Sequence, residues 1–196
     1  MKYPIGSIIT FNSKKGGWFS SAQRFFTRKP YTHSAVVFPD ELDVPSFFGA
    51  DMAVDKKPVA QFENNTTVDY QVWEWVGIPK RHIEAVLREI YVTFAGETYD
   101  FLQVLWFVYR WFMEVFLHKD VRKRKNWFAT TKHPICSELT WNVCQLMTID
   151  NPVCQSILHE WSPETFHSGD QAEVMQRFEK LGVVRKVYER WDVSKK

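Results

Sequence analysis

The sequence predicts an α+β fold, with a mainly antiparallel sheet and flanking helices, and three observations carry that prediction. Short runs rich in β-branched and aromatic residues recur between turn signals. Other segments place their apolar residues at helical spacing. The 196 residues are 45% hydrophobic and 16% aromatic, enough for one domain with a proper core and too apolar for a disordered chain.

The elements follow in order. Ser7 to Phe11 is a short apolar run after Gly6 and reads as a strand. Trp18 to Phe26 approximates helical spacing through Phe19, Ala22, Phe25 and Phe26. Tyr31 to Phe38 is a strand closed by Pro39, and Asp40 to Pro45 is a turn. Phe47 to Val54 and Val68 to Val76 are the next strands. In the latter, Tyr70 and Val72 fall on one side and Trp73 and Trp75 on the other. Ile83, Val86, Leu87, Ile90 and Phe94 make Lys80 to Phe94 a helix, stopped by Gly96.

Phe101 to Leu117 is the most apolar stretch, but it is short for a membrane span and carries Gln103, Arg110 and Glu114. It reads first as a buried or partly buried helix. An interfacial membrane helix is the next reading, because the basic run Lys119 to Lys125 follows it. Residues 101–128 thus form an aromatic and basic helical insertion within a single domain, 1–196. Cys136 to Met147 is a helix with Pro134 just before it. Ser162 to Glu164 is a short helix or turn, Gln171 to Leu181 a helix ended by Gly182, and Val183 to Trp191 the final strand.

Composition also excludes functions. Net charge is only +2 and no nucleic-acid motif is present, so no nucleic-acid partner is expected. No phosphate loop, dinucleotide glycine pattern or paired metal ligands occur, so neither cofactor nor metal is expected. The three cysteines, Cys136, Cys144 and Cys154, make neither a disulfide framework nor a zinc finger, and free thiols suit a reducing compartment. The N-terminus has no apolar signal core. A cytoplasmic origin is therefore expected, with membrane association or a virion or phage source as the alternatives.

Cys136 stands out because it opens a helix, where unpaired N–H groups and the dipole favour a thiolate. His33 opens a strand, from which its ring can enter a cleft and meet a helix-start cysteine. Nucleophile and base at hydrogen-bond distance are what thiol catalysis needs. Each residue also has a plainer reading, a buried apolar thiol and a surface or capping histidine. His82, His118, His133, His159 and His167 lack this strand-start context.

Five segments resemble, in order, those of the circularly permuted NlpC-type papain-like cysteine peptidases and amidases. They are Pro4-Ile5-Gly6-Ser7-Ile8-Ile9, His33-Ser34-Ala35-Val36-Val37, Gly96-Glu97-Thr98-Tyr99-Asp100-Phe101, Ile135-Cys136-Ser137-Glu138-Leu139 and Trp161-Ser162-Pro163-Glu164. Histidine precedes cysteine, which marks the permuted branch with its bacterial, poxviral, phage and lecithin–retinol acyltransferase-like members. The match runs from Gly6 to about Phe166.

The resemblance implies a permuted papain-like fold and a thiol hydrolase working through a thioester on Cys136, with His33 as base. Its substrate would be a peptidoglycan peptide or another amide, or a lipid ester in an acyltransferase or thioesterase at a membrane surface. A non-catalytic binding or structural module on the same fold is the remaining alternative. A third polar residue should orient the histidine. Its usual position matches Gly49, which has no side chain, so Asp51 is the expected substitute and Glu74 the fallback. Tyr31, Thr32 and, by resemblance, Tyr99 are candidates to line the substrate cleft.

Overall fold

The computed structural model describes residues 2–13, 21, 24–26, 29–39, 45–50, 54–59, 67–97, 103–124 and 136–190. Six strands form one antiparallel sheet: β1 (Ile8–Ser13), β2 (His33–Pro39), β3 (Pro45–Ala50), β4 (Val54–Pro58), β5 (Val68–Trp75) and β6 (Val184–Arg190). Their spatial order is β4-β3-β2-β1-β5-β6. The helices fully bounded among the described residues are α1 (Lys80–Phe94), α2 (Gln103–Val115), α3 (Cys136–Met147), α4 (Pro152–Leu158) and α5 (Ser168–Lys180). A single 3₁₀ turn, Pro163–Thr165, precedes α5. The α+β class expected from the sequence, with an antiparallel sheet and flanking helices, is the class observed.

Strand alternation sorts the core into two layers. Ile8, Val36, Phe38, Phe48, Trp73 and Trp75 face the helices and pack with Leu139, Val143, Val174 and Phe178. Ile9, Phe11, Ala35, Val37, Phe47, Tyr70 and Val72 form the opposite layer with Tyr3. Both faces of the central strands are therefore buried, which explains why β2 reads as a nearly continuous apolar run.

The N-terminal segment ties the sheet to α1. Gly6 donates its N–H to the Val37 carbonyl and accepts from the Trp75 indole. It adopts φ +84°, and a Cβ there would lie 2.5 Å from Ile83 of α1, so a glycine is required on both counts. On the helical side, His82 of α1 meets the Leu146 carbonyl at the far end of α3.

Several boundaries differ from the sequence expectation. The strand expected over Phe47 to Val54 ends at Ala50, and β4 is a separate strand pairing antiparallel with β3. α4 was not expected, although Asn151 caps it by accepting from the Cys154 N–H and Pro152 occupies its first turn. α5 starts three residues before the expected Gln171, because His167 caps it. Most of the expected helix over Trp18 to Phe26 lies outside the described residues; 24–26 are helical.

Candidate functional site

Cys136 is the first residue of α3, and the sheet fixes where that helix end sits. Ser34 of β2 shares a hydrogen bond with Thr140, one turn into α3, at 3.1 Å. Ser137 donates to the Phe166 carbonyl at 2.6 Å, joining the same turn to the segment before α5. All of these groups are buried. The start of α3 is therefore pinned between β2 and the approach to α5 by side chains that have no water to turn to.

His33 opens β2 and is only partly buried. By alternation it shares a face with Ala35 and Val37, and its ring packs against Phe11, the centroids 5.6 Å apart. From the strand end the ring reaches the Cys136 thiol and hydrogen-bonds it. Burial alone pushes that thiol up. The His33 charge and hydrogen bond, the Ser34 backbone N–H and the Ser168 hydroxyl together outweigh burial and bring it down to about 7. Ser168, the first residue of α5, places its Oγ 3.8 Å from the sulfur, where it can donate to a thiolate. The structure thus brings together the two residues singled out in the sequence and adds Ser34 and Ser168.

Gly49 faces this pair. A Cβ built on it would lie 3.3 Å from His33 Nε2 and 3.2 Å from the Ala35 methyl. The glycine gives the imidazole its seat beside β3. Asp51 and Tyr99 lie outside the described residues. Glu74 is not part of the site: it is bound to Arg185 at 2.6 Å. It also stands four residues along β5 from Tyr70, which is in register with Phe11 and, through it, with His33. Tyr31 is buried with its hydroxyl donated to Gln71 at 3.0 Å, and the Thr32 N–H bonds the Phe11 carbonyl. These contacts make both residues part of the packing next to the site, and neither is among the groups on the thiol.

Behind Ser168 lies an ionic cluster that sequence reasoning missed. His167 caps α5 by accepting at Nδ1 from the N–H groups of Gly169 and Asp170. The Asp170 carboxylate accepts from the His167 N–H, completing a capping box. Arg110 of α2 donates to both Asp170 oxygens, at 2.7 and 3.3 Å, to the Thr165 carbonyl at 3.0 Å and to Glu114 at 2.7 Å. Burial drives the His167 imidazole down to about 4, so it is neutral near pH 7. Burial alone would raise the Asp170 carboxyl; His167 and Arg110 reverse this and hold it below its usual range. The cluster secures the helix end that carries Ser168. Its one sequence signal was the aspartate three residues after a capping position.

The other cysteines behave oppositely. Burial pushes Cys144 up to about 12 and raises Cys154 as well. All three thiols are free.

Among the described residues, no group of three histidine, cysteine or acidic side chains is arranged to hold a metal. No described helix is long and apolar enough to cross a membrane. No protein-family model matches the chain, and no curated protein matches it. Among solved structures, it is similar to the metalloprotein yiiX from Escherichia coli O157:H7, a DUF1105 protein. The TM-score is 0.57 at 18% identity, with 98% of this chain and 100% of that chain covered. The fold and site define an α+β protein with an imidazole-paired thiol at a helix start, and at this identity the likeness to yiiX is one of fold.

Proposed function

We propose that this chain is a thiol hydrolase or acyl-transfer enzyme on a permuted papain-like fold, with Cys136 as nucleophile and His33 as base. The observation that carries the reading is the juxtaposition of a buried helix-start thiol with the His33 imidazole and the Ser168 hydroxyl, which with the Ser34 N–H bring the thiol down to about 7 where burial alone would have raised it. Such a thiol is about half ionised at neutral pH, where a thiolate is both present and strongly nucleophilic.

His33 takes the Cys136 proton, and the thiolate attacks the carbonyl carbon of an amide or ester. The negative charge that develops on the carbonyl oxygen falls beside the first turn of α3, whose N–H groups have no partner within the helix. The tetrahedral intermediate collapses as the carbon–nitrogen or carbon–oxygen bond breaks. The leaving group takes the proton from His33, and a thioester remains on Cys136. Water or an acceptor nucleophile, deprotonated by His33, then releases the acyl group and returns the proton to the thiol. Asp51 is the proposed carboxylate that orients His33, in place of the residue that Gly49 cannot provide.

The test is incubation with acyl-nitrophenyl esters and amide substrates, followed by mass spectrometry of the intact protein and its peptides. The reading predicts a hydroxylamine-sensitive acyl adduct on Cys136, absent in Cys136→Ala and strongly reduced in His33→Ala. Acylation spread over several nucleophiles, or unaffected by His33→Ala, contradicts it.

A further inference from the structure

α2 is amphipathic, but it is mounted the wrong way round for a helix that faces water. Its charged residues, Arg110 and Glu114, are bonded to each other, and Arg110 is buried against α5. Trp106, Phe107 and Met113 are buried on that inner side. The outer side presents Leu105, Val108 and Phe112, half exposed or nearly so, and Phe116 and Leu117 continue the stripe just past the helix end. A surface helix of a globular protein ordinarily shows the opposite pattern.

The stripe belongs to a wider aromatic patch. Trp111 stacks edge-on with Phe26 and Phe116 and lies 5.5 Å from Phe25, which is 63% exposed. A contiguous apolar area of this kind marks a contact surface rather than scattered exposure.

Directly after the helix, Lys119, Lys123 and Arg124 are exposed. Their segment is held in place: the Lys119 N–H caps the Met113 carbonyl, Val121 is fully buried, and the Arg122 carbonyl accepts from Ser162 and Thr165. Asp120 and Glu160 form ion pairs with Arg122, and Glu160 also lies within reach of the Lys123 charge. Aromatic and aliphatic residues on one helix face, beside fixed cations, match the acyl–headgroup boundary of a negatively charged bilayer.

We infer that the outer face of α2, with Phe25 and the basic residues 119–124, docks the protein on an anionic lipid surface. The inner face of the same helix packs on the 3₁₀ turn and on His167, next to Ser168 and Cys136. The docked surface and the thiol are thus separated by the thickness of this one wall. A second copy of the chain is the competing occupant. The exposed Lys119, Lys123 and Arg124 would repel the same cations on a second copy, whereas anionic headgroups attract them.

The test is sedimentation of the full chain with vesicles of phosphatidylcholine alone and of phosphatidylcholine mixed with phosphatidylglycerol, at low and high salt. Binding to the mixed vesicles that weakens with salt is expected. Phe112→Ser with Phe116→Ser should cut the bound fraction about tenfold or more, and each neutralisation among Lys119→Gln, Lys123→Gln and Arg124→Gln roughly fivefold. These residues are exposed, so circular dichroism of the variants should match wild type. Cys136→Ala should bind as wild type does, which separates this inference from the catalytic one. No binding to mixed vesicles, binding indifferent to Phe112→Ser with Phe116→Ser, or a concentration-dependent dimer abolished by that variant would each overturn it.

Discussion

Two cysteines stand eight residues apart on α3, both buried and both free. Cys136, at the first position, is brought to about 7, and Cys144, two turns along, is pushed up to about 12. Burial acts in the same direction on both and would disfavour either thiolate. The difference lies in what else reaches the sulfur. Cys144 has the Gln171 amide, at 3.4 Å, and the Cys154 thiol, which pushes it further up, in a shell of apolar side chains. Cys136 has an imidazole, a serine hydroxyl and a strand N–H, and it sits where helix N–H groups are unsatisfied. A thiol is therefore made reactive by position within the fold, and the same helix supplies both the reactive case and its inert control.

The largest test of that contrast is to exchange the roles. Cys136→Ala should abolish acyl transfer, a loss of about a thousandfold or more. Cys144→Ala should leave turnover near wild type and cost about 1–2 kcal/mol in urea unfolding, since it removes only packing. If Cys144→Ala silences the protein while it remains folded, the contrast has been misread.

The wall behind Ser168 comes next. Arg110→Met leaves the Asp170 carboxylate buried beside a neutral histidine, which should cost about 3–5 kcal/mol in stability. Melting of the variant against wild type measures it, and a change under about 1 kcal/mol would show that Arg110 does not secure this helix end.

pH should act on the same cluster. The folded-state value of His167 lies below the unfolded one, so the unfolded chain takes up a proton that the folded chain refuses. Stability should fall as pH drops from about 6.5 toward about 4. The depressed Asp170 carboxyl contributes stability above the ordinary aspartate range and loses it at lower pH still. Denaturant midpoints across this window should decline smoothly, and His167→Asn should flatten the upper part of the decline.

Smaller effects concern the His33 seat. In Gly49→Ala the new methyl meets the ring nitrogen at 3.3 Å and the Ala35 methyl at 3.2 Å, tight enough to displace the imidazole by a few tenths of an ångström. Turnover should fall about tenfold with little change in fold. Ser168→Ala should have the least effect, a small rise of the Cys136 thiol, read from its labelling profile.

How far the sequence went depended on how local each signal was. The bounds of α1 and α3 were legible to the residue, because each carries its own apolar spacing and a boundary signal, Gly96 after α1 and Pro134 before α3. Cys136 and His33 were legible as a pair because each opens its element, and element ends point side chains into clefts. The split between β3 and β4 was not, since Gly49 and Asp51 can each sit within a strand and neither by itself announces a reversal. α4 is announced by Asn151-Pro152, but its seven residues are too few for an apolar period to stand out. Arg110 looked like a polar interruption of an apolar helix. Its partner lies 60 residues away, and only the tertiary fold shows that the charge faces inward. His167 is illegible for the same reason, its role being set by Asp170 and by burial.

The most direct measurement is iodoacetamide labelling of each cysteine against pH, by peptide mass spectrometry, in the native protein and in His33→Ala. The account predicts that Cys136 labels with a midpoint near 7 while Cys144 and Cys154 stay unreactive, and that His33→Ala moves the Cys136 midpoint up beyond the ordinary thiol value of about 8.5. A Cys136 that labels no faster than the other two, or whose midpoint is unmoved by loss of His33, would contradict the thiol–imidazole pair on which the proposed chemistry rests.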